Sequence, residues 1–413
     1  MTPEEQRWQD LAVQASRVFS PSAPIDKRSL FAGRDTQIRA VIDAINQKGQ
    51  HAIIYGERGV GKTSLTNVLA SFLGKQEAPI LAPRIQCDAL DTYPKVWRKV
   101  FDKIELTRPV TRGRLSVQAE QETFKATELL GDSEVSPDDV RRALSILAKS
   151  ALPIVIIDEF DRLPADKRQP FADTLKTLSD HAVPATVILV GVAADVHGLI
   201  EEHQSVERAL VQVRMPRMSN DEIVRIVNTG LEKLGMTIQP DALHRIALLS
   251  QGLPHYTHLI SLYASRVSLD ARSLDITDEM VGQAIDNAIS GAQESISNAW
   301  HQATRSPRKD NLFADVLLAC ALAEKDQQGT FAAQDVRVPL REITRKPQSI
   351  ASFAQHLNEF CDGGRGPMLQ RTGTKRKFRY RFLNPLMQPY TIMQGFRNRK
   401  ITKSLVATME TPD

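Results

Sequence analysis

Apolar runs bounded by chain-breaking residues recur through the first half of the sequence, at His51–Tyr55, Ile80–Gln86, Ile154–Ile157 and Thr186–Val190. Each has the length and content of a buried strand. Between them the spacing shifts to a helical period, as in Lys62–Leu73 and Pro137–Lys149. Ser136 is placed to N-cap the second of these, with Pro137 in its first turn. Strands alternating with helices predict an α/β parallel sheet covered on both faces. From Ser219 onward the strand pattern stops. Ser219–Leu234, Pro240–Ser250, Tyr256–Leu269 and Thr277–Trp300 all read as helices, separated by Gly, Pro or capping residues.

A third region carries helical stretches at Leu312–Ala323, Gln334–Ile343 and Ser349–Phe360, then the turn DGGRGP and strand-like runs at Met368–Arg371 and Lys377–Phe382. Three helices followed by a β-hairpin predict a winged helix-turn-helix. The expected organisation is an N-terminal segment and linker at 1–30, an α/β core at 31–218, a helical lid at 219–303, a winged-helix domain at 304–396 and a basic tail at 397–413. Thr107–Asp132 fits the alternation poorly and reads as an insertion or long loop.

Length and composition agree with this. With 413 residues, 42% hydrophobic and 25% charged, the chain has the balance of a globular protein with more than one core. No apolar run reaches the ~18–20 residues of a membrane span. The opening residues MTPEEQRW lack a basic-then-apolar secretory pattern. Cys87, Cys320 and Cys361 form no CxxC pair, so neither a disulfide framework nor a structural zinc site is expected. A cytoplasmic protein is the expectation.

Charge is distributed unevenly. Between Arg365 and Lys403 lie eleven basic residues and no Asp or Glu, although the whole chain carries only +4. Positive charge at one end of an otherwise acidic chain is the electrostatic footprint of a nucleic-acid surface. The alternative is a solvated basic face, or one that meets an acidic partner.

The strongest motif is Gly56-Glu57-Arg58-Gly59-Val60-Gly61-Lys62-Thr63, followed by Ser64, a full match to GxxxxGK[ST]. It follows a predicted strand and opens a predicted helix. The glycines let backbone N–H groups turn toward phosphate oxygens at a helix N-terminus. Lys62 would place its charge between the β- and γ-phosphates, and the Thr63 hydroxyl would coordinate Mg²⁺. ATP and Mg²⁺ are the cofactors this predicts.

A second motif is Ile154-Val155-Ile156-Ile157-Asp158-Glu159, a buried strand ending in two carboxylates. Ligands of parallel sheets bind at that edge. Asp158 would hold Mg²⁺ through its water shell, and Glu159 would orient and polarise the attacking water. Asp161 reads as a solvated or helix-capping residue and not as a third catalytic acid.

With the "FAGRD" box at Phe31–Asp35 and the helical lid, these motifs resemble an AAA+ ATPase. The C-terminal winged helix is most similar to the origin-recognition/initiator clade. The resemblance spans roughly Leu30 to Phe396 and implies a helix-end arginine finger at Arg208, which would reach a neighbouring subunit's γ-phosphate. A surface salt bridge to Glu207 or Glu202 is the other reading, and Arg214 and Arg217 are nearby competitors.

Two positions depart from the family. Where a sensor Asn or Thr would end the Thr186–Val190 strand, the chain reads Gly191-Val192-Ala193-Ala194-Asp195. Where the lid would supply an arginine, "GLPHYTH" supplies His255. An imidazole there would be charged only conditionally, and His255 and His258 read equally as lid-packing residues. Both departures imply slow or partner-stimulated hydrolysis.

In the wing, Lys375-Arg376-Lys377-Phe378-Arg379-Tyr380-Arg381-Phe382 alternates basic and aromatic residues. With the pleat's period of two, Phe378, Tyr380 and Phe382 share one face, expected to pack on the helices. Lys377, Arg379 and Arg381 would then point outward, and with Arg371, Lys375 and Arg376 would meet phosphates. Ser349–Glu359 would be the recognition helix, offering Gln348, Ser349, Ser352, Gln355 and His356. The expected function is an ATP-dependent switch that forms a homo-oligomer and engages duplex DNA to recruit a protein partner. The alternative is a signalling ATPase of a phage-defence or transposition system, with an effector protein as output.

Overall fold

The computed structural model describes residues 2–21, 33–73, 79–110, 120–131, 134–193, 196, 199, 207–292, 294–307, 311–326, 329–374, 377–401 and 405. Two units emerge from the chain. One comprises Pro24–Glu57 and Gly61–Met215; the other comprises Met1–Ala23, Arg58–Val60 and Pro216–Asp413.

The first unit is built on a parallel sheet. Its strands are β1 (His51–Gly56), β2 (Ile80–Leu81), β3 (Arg84–Gln86), β6 (Leu152–Asp158), β7 (Thr186–Val192) and β8 (Leu210–Arg214). The order is β2-β6-β7-β1-β8, with β3 also pairing β6. Ile154 pairs with Thr186, Ala52 with Ile188 and His51 with Leu210. Helices cover both faces, which is why the central strands are almost continuously apolar. The core beside the sheet is aromatic: Trp97 stacks on Phe171 at 6.3 Å, and Phe160 meets the same ring edge-on at 5.1 Å. Buried His51 accepts a hydrogen bond from the Val187 N–H through Nδ1, and burial lowers its pKa to about 4.

Three departures from the sequence reading have local causes. The run Ile80–Gln86 is two strands, because Pro83 has no N–H to give to a ladder. The stretch read as an insertion contains an antiparallel hairpin, β4 (Glu105–Val110) and β5 (Glu120–Lys125), followed by a 3₁₀ turn at Ala126–Leu130. Its polar alternation and Pro109 hide the strand signal. Beyond Ser219 the strands do not stop altogether: β9 (Thr237–Ile238) and β10 (Asp275–Ile276) pair in parallel, each too short to show a period.

The second unit gathers helices Pro3–Val18, Asn220–Leu234, Pro240–Ser250, Pro254–Asp270, Asp278–Ser290 and Glu294–Thr304. Capping boxes start the first two, Thr2 with Glu5 and Ser219 with Glu222. The expected helix Thr277–Trp300 is divided after Ser290, where Gly291 follows. The C-terminal part runs helix Phe313–Leu322, β11 (Phe331–Ala332), helices Ala333–Thr344 and Ile350–Cys361, then β12 (Leu369–Thr372) and β13 (Arg379–Phe382). The three strands form an antiparallel sheet in the order β11-β13-β12. Helix Met387–Arg397 follows, unforeseen because its buried face carries polar side chains. Gln388 is fully buried there, accepting from Arg217 and donating to Gln251 Oε1 and the Ala321 carbonyl.

Candidate nucleotide site

β1 ends at Gly56, the loop turns, and a helix begins at Lys62. Gly56 has φ 155°, and a Cβ there would collide with the Met215 carbonyl oxygen. Gly59 and Gly61 have φ of 87° and 93°, which side chains rarely adopt. Lys62 is buried, and its ammonium donates to the carbonyls of Gly56 (3.0 Å) and Glu57 (2.7 Å). Thr63 and Ser64 lie partly exposed on the first helical turn, and Arg58 is exposed at the loop tip.

The acid pair lies at the C-terminal end of β6. Because β6, β7 and β1 are parallel neighbours, Asp158 and the glycine loop open at the same sheet edge. Asp158 is buried with both oxygens engaged: Oδ1 accepts from the Glu159 N–H (2.9 Å) and Oδ2 from the Arg84 guanidinium (2.6 Å). Glu159 occupies a left-handed conformation, φ 53° and ψ 35°, a strained backbone of the kind found at functional sites. Its carboxylate stays accessible and pairs with Arg162 at 3.0 Å. Neither Arg84 nor Arg162 is marked by a motif. An arginine two residues before a strand's end, opposite an acidic strand end, was the only trace of the first.

Thr63 and Asp158 offer hard oxygen donors, which suit Mg²⁺ because it keeps several waters and needs few protein ligands. Among the described residues no group of three or more His, Cys, Asp or Glu forms a closed metal cage. A metal here would therefore depend on nucleotide phosphates for the rest of its shell.

Asp161, read from sequence as solvated or helix-capping, is partly exposed and also holds a backbone group. Its Oδ1 accepts from the backbone N–H of Val192, anchoring the turn after the acid pair to the end of β7. At Gly191 a Cβ would lie 2.7 Å from the Leu199 side chain and 3.2 Å from Asp161. Asp195, at the end of the departing run, lies outside the described residues, as do Phe31 and Ala32 of the FAGRD box; Asp35 opens the helix Asp35–Asn46.

Arg208 is exposed just before β8, and its carbonyl accepts from Gln50. It sits at the His51 end of β1, whereas the glycine loop leaves the Gly56 end. Among the described residues its guanidinium forms no ion pair; Glu202 lies outside them. Arg214 instead pairs in register with Tyr55 beside the loop, and Arg217 is bound to Gln251 and Gln388. His255 donates through Nδ1 to the Pro21 carbonyl (2.8 Å), and burial lowers its pKa. His258 is buried against Phe19, its pKa lowered to about 4 by burial.

In the C-terminal sheet, Tyr380 and Phe382 are buried as expected. The cations are less free than the alternation implied. Arg379 binds Asp326 and Thr330, Arg381 binds Gln370, and Arg371 binds Asn358 while stacking over Phe378 at 4.5 Å. The acids and amides that hold them come from distant segments and neighbouring strands. Lys377 is exposed, and Lys375 and Arg376 lie outside the described residues. On helix Ile350–Cys361, Ser352 and Gln355 are exposed, with Gln348 bonded to Ser352 and Ser349 at the N-cap. His356 packs on the Phe313 ring at 4.6 Å.

No curated protein matches the chain in sequence. The Walker-type ATPase PABY2304 of Pyrococcus abyssi is similar in structure, with a TM-score of 0.52 and 15% identity over 91% of this chain and 99% of that one. The ORC2 protein of Aeropyrum pernix, solved as ADPNP–ADP complexes, gives a TM-score of 0.47 at 13% identity, covering 96% and 98%. The ORC1 protein of Aeropyrum pernix in complex with DNA gives 0.43 at 16%, covering 93% and 97%. At these identities the likeness to the Pyrococcus protein is one of fold. In sequence, the family described as AAA ATPase domain matches residues 30–190, the segment that holds both the glycine loop and the acid pair. Residues 30–190 are thus similar to an AAA ATPase domain.

Proposed function

We propose that the protein is an ATP-dependent switch of the initiator-like AAA+ type, which hydrolyses ATP slowly and changes its association with a partner as it does so. The observation that carries this reading is the shared sheet edge of the glycine loop, with buried Lys62, and the Asp158–Glu159 pair. Loop N–H groups and Lys62 would hold the phosphates, with Thr63 and Asp158 holding Mg²⁺, whose charge offsets that developing on the phosphoryl group. Glu159, accessible and held by Arg162, would take a proton from the attacking water. Arg208, at the far end of β1 from its own loop, would serve a neighbouring subunit's site.

Duplex DNA is the proposed partner of the C-terminal helices and hairpin, which would act as a winged helix. The concentration of eleven basic residues there supports it. The engagement of Arg371, Arg379 and Arg381 by neighbouring groups favours a second reading, in which this region is a packing element and the output is an effector protein.

Steady-state ATP hydrolysis with and without duplex DNA, alongside Glu159→Gln and Arg208→Ala, tests the proposal. Stimulation by DNA that both substitutions abolish supports a DNA-assembled oligomer. Release of about six phosphate contacts would weaken DNA binding roughly a thousandfold between about 50 and about 200 mM salt. A rate indifferent to DNA, or a shallow salt dependence, favours the effector reading.

A further inference from the structure

Both oxygens of Asp158 are engaged by its own chain. Arg84 on β3 pairs in register with Ile156 on β6, so their side chains share a face with Asp158, two residues further along β6. From there the guanidinium reaches Oδ2 at 2.6 Å, and the Glu159 N–H takes Oδ1. The Asp158 side chain is 3% exposed and that of Arg84 is 23% exposed. A carboxylate so buried needs a compensating charge, and leaving it unpaired is strongly unfavourable. Arg84 supplies that charge.

A hydrated divalent cation held by Asp158 would bring the same compensation to the same oxygens. We propose that Arg84 occupies on Asp158 the place of the nucleotide-bound Mg²⁺ and must release the carboxylate before Mg·ATP is held. Arg84 is then a positioning residue that makes the site demand more Mg²⁺ than its oxygen donors alone would. This rests on the nucleotide-site reading above.

The test uses the full-length protein, a fluorescent ATP analogue and Mg²⁺ titrations, with two readouts. In Arg84→Gln the Mg²⁺ concentration for half-maximal analogue binding should fall about tenfold, the effect of removing one charge-assisted competitor. Binding in the presence of a chelator should change little. In melting experiments without nucleotide, millimolar Mg²⁺ should raise the melting temperature of Arg84→Gln more than that of the unaltered protein. Should Arg84→Gln fold poorly, Arg84→Lys, a weaker and less directional partner, should show an intermediate fall. A half-saturation that is unchanged overturns the proposal, and one that rises shows instead that Arg84 orients Asp158 for the metal. If the unaltered protein does not bind the analogue at all, the nucleotide reading fails, and the melting comparison alone decides the role of Arg84.

Discussion

Asp161 and Val192 are joined by a 2.8 Å hydrogen bond from the Val192 N–H to the Asp161 carboxylate, which ties the turn after the acid pair to the end of β7. At Gly191, near where the resemblance would have an Asn or Thr end the strand, Leu199 and Asp161 already fill the space a side chain would need. Adding a side chain is overpacking of a buried site. Gly191→Ala should therefore destabilise the protein by about 1–3 kcal/mol, read by urea or thermal unfolding. Unchanged stability would show that the turn can move aside.

Glu159→Gln keeps the shape of the side chain and removes its basicity. Hydrolysis should fall by about 10²–10⁴-fold while binding of a fluorescent ATP analogue stays within a few-fold. Equal losses of binding and hydrolysis would place Glu159 outside the chemistry.

Arg208→Ala alters an exposed side chain and should leave the melting temperature unchanged. Its hydrolysis should fall by about 10³–10⁵. Mixing it with Lys62→Ala should restore activity, since each protein supplies what the other lacks. Failure to recover in the mixture would indicate that the arginine serves its own subunit or none.

His51 and His258 are both buried with pKa values lowered to about 4 by desolvation, against 6.5 when unfolded. Because the native state resists protonating them, their contribution is complete above pH 6.5 and is lost as pH falls toward 4. The loss should approach about 3 kcal/mol per histidine across that window. Denaturant midpoints measured from pH 7 to pH 4 should fall accordingly, and His258→Gln should flatten the slope. A flat profile would mean that neither imidazole is kept neutral.

What could be read from the sequence was whatever is local. The glycine loop and the IVIIDE strand combine a short motif with its own element, so Lys62, Asp158 and Glu159 were found together. Arg84 was not, because its bond to Asp158 joins residues 74 apart through strand register. The same limit explains the hairpin cations. Arg379 was assigned to phosphate by its alternation, but Asp326 and Thr330 approach from outside the window in which that pattern is visible. Gln388 was overlooked because a buried glutamine counts as polar in any periodicity, although its partners make it as interior as a leucine.

The separation of Arg208 from the glycine loop along β1 has a consequence for how activity scales with assembly. If Arg208 serves a neighbour's site, as proposed, a donor at one end of the sheet and an acceptor at the other make head-to-tail association, in which each interface completes one site. An open row of n subunits then contains n − 1 finished sites and one idle arginine, whereas a closed ring contains n. Turnover per subunit should climb with concentration and level off for a filament, but switch on in a single step for a ring. The shape of that curve would report the symmetry of the assembly before any image of it is obtained.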